Sequence, residues 1–222
     1  MNTRSSWAVA AVLATLSPAL ADTPAITGPA RLIDGDTFDV GSVRVRLYGI
    51  DAPEAGQRCQ HANWDCGTEA TNRLAQLVQG KNVNCHAVDW DRFGRIVARC
   101  FASGIDLASA LTASGLAWAY VRFSGNYVGL EAKARSEYKG VWRAANQTPW
   151  DYRAAGWNHA AASGPRPRCP IKGNISTKGE RIYHTPWPRA YAKTKINEGK
   201  GERWFCDEAE AVANGWRAAR ER

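Results

Sequence analysis

The sequence predicts a mainly β plus α fold: a small β-barrel with helices at its side, followed by a smaller α+β unit. Three observations predict it. Short apolar-rich runs come first as a group of three and later as a hairpin. Three helical stretches interleave with them, each ended by a glycine. The last third departs from the rest in charge and holds its own pair of cysteines. A chain of 222 residues, 45% hydrophobic and 23% charged with ten Trp, is long enough for one domain plus a module and has the composition of a chain with a packed core.

The elements follow in order. Residues 30–33 and 37–40 read as short strands. Residues 43–48 alternate, with Val43, Val45 and Leu47 on one face and Arg44, Arg46 and Tyr48 on the other. Residues 68–79 (TEATNRLAQLVQ) read as a helix stopped by Gly80. Residues 82–88 and 95–101 flank DWDRFG as a hairpin, which completes five strands. A second helix, DLASALTAS, starts on a capping Asp106 and stops at Gly115; a third, residues 127–139, stops at Gly140. Residues 143–168 mix Ala, Gly, Pro and Trp and read as a linker that packs down through Trp150 and Trp157. In residues 169–222, IKGNISTKGERIYH reads as a hairpin and DEAEAVANGWRAA as a helix.

Residues 1–21 have the marks of a cleaved secretory signal: Arg4, an apolar stretch from Trp7 to Leu16, and the small-x-small end Ala19-Leu20-Ala21. No later apolar run approaches the ~20 residues of a membrane span. The mature chain is therefore expected to be free of the membrane, in the periplasm or secreted. Six cysteines fit an oxidising compartment. Six allow about 15 connectivities, and spacing favours one of them. Cys59 and Cys66 flank a short loop, Cys85 and Cys100 face each other across the hairpin, and Cys169 and Cys206 remain. A zinc site is the alternative for that last pair, with His184 and either His159 or Asp207. The formal charge of +8 is uneven: residues 22–142 are neutral overall, residues 143–168 carry +3 and residues 169–222 carry +4. A basic module beside a neutral domain fits a polyanion tether, with Lys172, Lys178, Arg181, Lys193, Lys195 and an exposed Tyr183 as the contacts.

The chemistry concentrates in RLIDGDTFDVGSVRVRLYGIDAPE, residues 31–54. Asp34 and Asp36 share a side of their strand, and Asp36 and Asp51 can converge as hard oxygen donors that suit Ca²⁺ or Mg²⁺ rather than Zn²⁺, with Glu54 nearby to position or deprotonate a water. Arg46, and Arg95 from the hairpin, are planar forks that match phosphate oxygens. A cation, two such forks and a carboxylate base are the components of phosphodiester hydrolysis.

The motifs IDGDT, VRLYGIDAPE, DRFGR and GLAWAY, in that order and at these intervals, resemble the staphylococcal-nuclease-like (thermonuclease) family over residues 29–142. The resemblance implies a five-stranded OB-type barrel with three helices in a nuclease domain of residues 22–142. It implies Asp36 and Asp51 as Ca²⁺ ligands with the backbone carbonyl of Ala52, where the family often has Thr, and Asp34 acting through water. Glu54 matches the general base or water-orienting carboxylate, and Arg46 and Arg95 match the arginines on the scissile phosphate. Arg92, Phe93 and Tyr120 match substrate-binding positions. The family often has Tyr at Phe93, and a second Tyr just beyond Tyr120 where this chain reads Val121-Arg122-Phe123. The implied reaction is hydrolysis of DNA and RNA by a monomer, leaving 5′-hydroxyl and 3′-phosphate ends. The alternatives are a catalytically silent OB-type nucleic-acid-binding module and an accessory to export or surface-polysaccharide assembly.

Overall fold

A computed structural model describes residues 25–187 and 189–219. The expected signal segment lies outside them. Strands β1 (Ile26–Leu32), β2 (Thr37–Val40) and β3 (Val43–Leu47) form an antiparallel meander. A two-residue strand, β4 (Ile50–Asp51), precedes helix α1 (Cys66–Val78). The hairpin of β5 (Asn82–Trp90) and β6 (Ile96–Ala102) follows. β1 pairs antiparallel with β5 and β3 pairs parallel with β6, so five strands close into an OB-type barrel in the order β3-β2-β1-β5-β6. The short β7 (Ile105–Asp106) extends β6, leads into α2 (Leu107–Ala113), and is followed by β8 (Trp118–Ala119), which pairs with β4. Helix α3 (Val128–Ser136) completes the expected set.

Alternation positions the site. In β3, Val45 and Leu47 are buried in the barrel with Phe38, Val83 and Ala98, while Arg46 points the other way. Leu74 and Leu77 of α1 and Leu107 and Leu111 of α2 close the same core. Asp106 caps α2 as expected, accepting from Ser109 N–H at 2.9 Å. Gly80 and Gly115 follow their helices in left-handed conformation (φ +68° and +71°). Helix α3 stops earlier than expected: Tyr138 already has φ +50°, so the turn begins before Gly140.

The run read as a linker contains α4 (Pro149–Ser163), the longest helix among the described residues. Thr148 caps it and Pro149 opens it, an arrangement that needs no N–H from Pro149. The expected C-terminal hairpin is present as β9 (Ile171–Ile175) and β10 (Arg181–His184). Helix α5 (Arg189–Lys193), strand β11 (Arg203–Phe205), helix α6 (Glu208–Ala213) and strand β12 (Arg217–Ala218) complete a four-stranded sheet ordered β11-β9-β10-β12. The last helix is shorter than expected because the chain turns at Gly215, drops Trp216 onto Phe205 in the core and continues as a strand. Disulfides Cys59–Cys66, Cys85–Cys100 and Cys169–Cys206 all form, so Cys169 and Cys206 are not zinc ligands. Cys85 and Cys100 are direct cross-strand partners.

Candidate active site

The β1–β2 turn is built by its own carboxylate. Asp34 Oδ1 accepts from the N–H groups of Asp36 (3.0 Å) and Thr37 (2.8 Å), which folds the turn and presents Asp36. Gly35 is obligatory here, because a Cβ would lie 2.8 Å from the Ala70 methyl and 2.9 Å from the Ala52 methyl. Asp36 is thereby pressed against the strand that carries Asp51. Its Oδ2 accepts from Ala52 N–H (3.0 Å), and its Oδ1 accepts from Thr37 Oγ1 (2.9 Å) and Arg46 Nη1 (3.1 Å).

Asp51 is fully buried where β4 meets β8. Arg46 Nη2 donates to its Oδ1 at 2.7 Å, so one guanidinium ties Asp36 to Asp51. Arg153, from α4, donates to both oxygens of Asp51, Nη2 to Oδ2 at 2.8 Å and Nη1 to Oδ1 at 3.1 Å. The same Nη1 donates to Glu54 Oε1. The Glu54 backbone is fixed separately. Its N–H donates to Gln57 Oε1 (3.0 Å), and Gln57 Nε2 donates to Gln147 O (2.8 Å) just before α4. Gly67, in the first turn of α1, lies directly beneath, where a Cβ would stand 1.9 Å from Glu54 O.

Burial, then the Asp36 charge, pushes Asp34 up to about 6. Burial also works to raise Asp36, but Arg46, the Ala52 N–H and Arg95 outweigh it and hold Asp36 below its ordinary value. Burial lifts Glu54 to about 8 against the pull of Arg153. Carboxylates of such different acidity side by side match the requirements of acid–base chemistry.

Arg95 is held on the hairpin instead. Its Nε donates to Asp91 Oδ2 (2.6 Å), and its guanidinium lies over the Phe93 ring at 5.3 Å. Arg92 covers the same ring at 4.7 Å. Tyr120 stacks on Trp150 of α4 (5.5 Å between centroids, 23° between planes). The expected residues Asp34, Arg46, Glu54, Arg92, Phe93, Arg95 and Tyr120 all line one cleft of about 1340 Å³. Thr185, Asp207, Glu208 and Arg217 of the C-terminal unit form part of its wall. Asp36 and Asp51 sit buried behind it.

Asp36, Asp51, the Ala52 backbone, Glu54 and Arg46 are brought together; Arg95 shares the cleft without touching the acids. Asp39 and Arg44, assigned no role above, form an ion pair (2.9 Å) across β2 and β3 in which Asp39 is buried, joined by Arg31. Two expected contacts of the C-terminal unit are corrected. Tyr183 is only 5% exposed and bonds Glu208 Oε2 (3.0 Å), and Lys172 donates to the carbonyls of Tyr191 (2.9 Å) and Thr194 (2.8 Å). Lys178, Arg181, Lys193 and Lys195 are exposed. Arg153 was not anticipated. No apolar stripe along residues 149–163 marks it in the sequence.

A hard cation fits the donor set chemically, since two buried carboxylates and an adjacent backbone carbonyl are all oxygen, and it would share the Asp51 oxygens with the donors Arg46 and Arg153. No group of three or more His, Cys, Asp or Glu side chains converges as a cage among the described residues. The expected set needs only Asp36 and Asp51 from side chains.

A family model described as "Staphylococcal nuclease homologue" matches residues 44–144. A succinoglycan biosynthesis protein, ExoI, of Rhizobium meliloti (strain 1021) is 38% identical over 149 residues, covering 64% of this chain and 78% of that one. An uncharacterized endonuclease of Escherichia coli is 34% identical over 131 residues (55% and 81%). A micrococcal nuclease of Shigella flexneri is 34% identical over 147 residues (58% and 80%).

Proposed function

The chain belongs to the staphylococcal nuclease family, and from that premise we propose that it is a Ca²⁺-dependent endonuclease of the periplasm or extracellular space. Its substrates are DNA and RNA, and its products carry 5′-hydroxyl and 3′-phosphate ends. The observation that carries the reading is the junction of Asp36, Asp51 and Arg46 beside Glu54 on the wall of the cleft.

In this reading Glu54 takes the proton from a water that attacks phosphorus in line, the bond to the 5′ oxygen breaks, and that oxygen leaves with the electron pair and takes a proton from solvent water to become the 5′-hydroxyl. Arg46 spends two of its five N–H groups on Asp36 and Asp51, which aims the guanidinium along the cleft. Arg46 and Arg95 stabilise charge growing on the phosphoryl oxygens, and loss of one such donor costs ~10²–10³ in rate. Asp36, Asp51 and the Ala52 carbonyl would hold the Ca²⁺, which supplies charge neutralisation at the phosphate when bound. Tyr120 on Trp150 offers a face for base stacking. Three disulfides, and the absence among the described residues of any helix long and apolar enough to cross a membrane, are compatible with the proposed location.

Product ends test the reading. Fragments made in Ca²⁺ should accept label from polynucleotide kinase without prior phosphatase treatment, and chelator should stop their formation. Fragments that need dephosphorylation first would contradict the proposed chemistry. The relative named for succinoglycan biosynthesis raises a second reading, a role in polysaccharide assembly. The intact set Asp36, Asp51, Glu54, Arg46 and Arg95 favours the nuclease over that role and over a silent binding module.

A further inference from the structure

Arg153 lies outside the segment matched by the family model, yet it makes three hydrogen bonds to two acids of the site. We propose that Arg153 is a positioning residue for Glu54: it holds the water-activating carboxylate against Asp51, so that α4 is part of the active site. The proposal rests on the nuclease reading for its catalytic consequence.

The argument starts from what fixes each group. Asp51 is placed by the backbone pairing of β4 with β8 and by Arg46. Glu54 has a flexible side chain on a turn whose backbone is held by Gln57. Among the described residues, Arg153 is the hydrogen-bond donor recorded at its carboxylate. The neighbouring charges of Asp34 and Asp51 repel an ionised Glu54. Without Arg153 the carboxylate would swing away from these acids into the cleft.

Arg153 is itself well anchored. Trp150 stacks on Tyr120, Gln147 O receives Gln57 Nε2, and Tyr152 Oη donates to Trp187 O of the C-terminal unit (3.2 Å). Gly156 faces Trp187, where even a Cβ would approach within 3.3 Å. A planar fork is the suitable shape, because one guanidinium must span two carboxylates in a fixed geometry. A lysine ammonium would satisfy one acid at a time. Arg153 also lines the cleft, but the three hydrogen bonds its Nη1 and Nη2 make go to Asp51 and Glu54, and that hold is the role proposed for it.

Steady-state cleavage by the full chain tests this with Arg153→Met, Arg153→Lys, Glu54→Gln and the double variant Glu54→Gln/Arg153→Met. Misplacement of a catalytic group by about 1 Å costs ~10²-fold, so Arg153→Met should lower kcat by about that factor with KM within about twofold. Arg153→Lys should recover about tenfold of the loss, and the double variant should be no slower than Glu54→Gln alone. A loss confined to KM, additive losses in the double variant, a lysine no faster than methionine, or no change would overturn the proposal. Crystal structures of Arg153→Met and Arg153→Lys give a readout that does not need activity. The Glu54 carboxylate should leave Asp51 in the methionine variant, and a Glu54 that stays in place overturns positioning. If methionine prevents folding, the lysine structure decides: Glu54 or Asp51 should lose its bond. A wild-type protein that cleaves nothing would sink the nuclease reading alone and leave the structural result to stand.

Discussion

Glu54 is a carboxyl group drawn in two directions: burial raises it, the Arg153 guanidinium draws it down, and the balance stands at about 8. The sign of the pH dependence follows. A general base must be ionised, so the protonated fraction below about 8 is inactive, and cleavage should climb with pH until it levels near that value. A pH–rate profile of kcat/KM at fixed Ca²⁺ checks this, and a profile flat from pH 6 to 9 would contradict it. At this scale much of the site was legible. Asp36, Arg46, Asp51 and Glu54 lie within 19 residues and in recognisable motifs. Arg153 was illegible because it acts on Asp51 across 102 positions, and nothing local marks that contact. Tyr183 was misread as exposed because its β10 position faces the core and its hydroxyl finds Glu208 there.

Among elements, α1 has a role beyond packing. Its first turn runs against the Glu54 backbone, and only a glycine permits this approach. Replacing glycine by alanine inside a helix ordinarily stabilises by ~0.5–1 kcal/mol. Gly129 in α3, with open space at its Cβ position, should show that gain as Gly129→Ala. Gly67→Ala should instead destabilise by ~1–3 kcal/mol, the usual cost of overpacking, and should slow cleavage by moving the turn. Thermal melts of the two variants check the contrast. The Cys59–Cys66 disulfide ties the loop after Glu54 to that same first turn. Strands and capped helices were readable because alternation in β3 and the Asp106 cap are local signals. Helix α4 read as a linker because its apolar residues go round the helix instead of forming one stripe, and its composition suits a loop.

In the whole molecule, the barrel and the C-terminal unit have separate hydrophobic cores, yet residues of both line the cleft. Residues 22–142 are neutral overall, while residues 169–222 carry +4. Removal of residues 169–222 should leave the barrel folded, weaken DNA binding and flatten the dependence of log affinity on log salt, since each phosphate contact contributes a slope of about −0.9. Equal slopes with and without the unit would exclude that role. The charge imbalance was visible in the sequence; the seating of this unit on the cleft was not, since it depends on contacts such as Tyr152 with Trp187. The central claim is that the carboxylates and arginines gathered around Asp51 hydrolyse nucleic acid. The most direct test is incubation of the protein and its Glu54→Gln variant with DNA and RNA, in Ca²⁺ and in chelator. The account predicts cleavage by the wild type in Ca²⁺ alone and a loss of ~10²–10⁴-fold in Glu54→Gln. Cleavage unaffected by chelator or by the Glu54 substitution, or no cleavage in Ca²⁺, would contradict it.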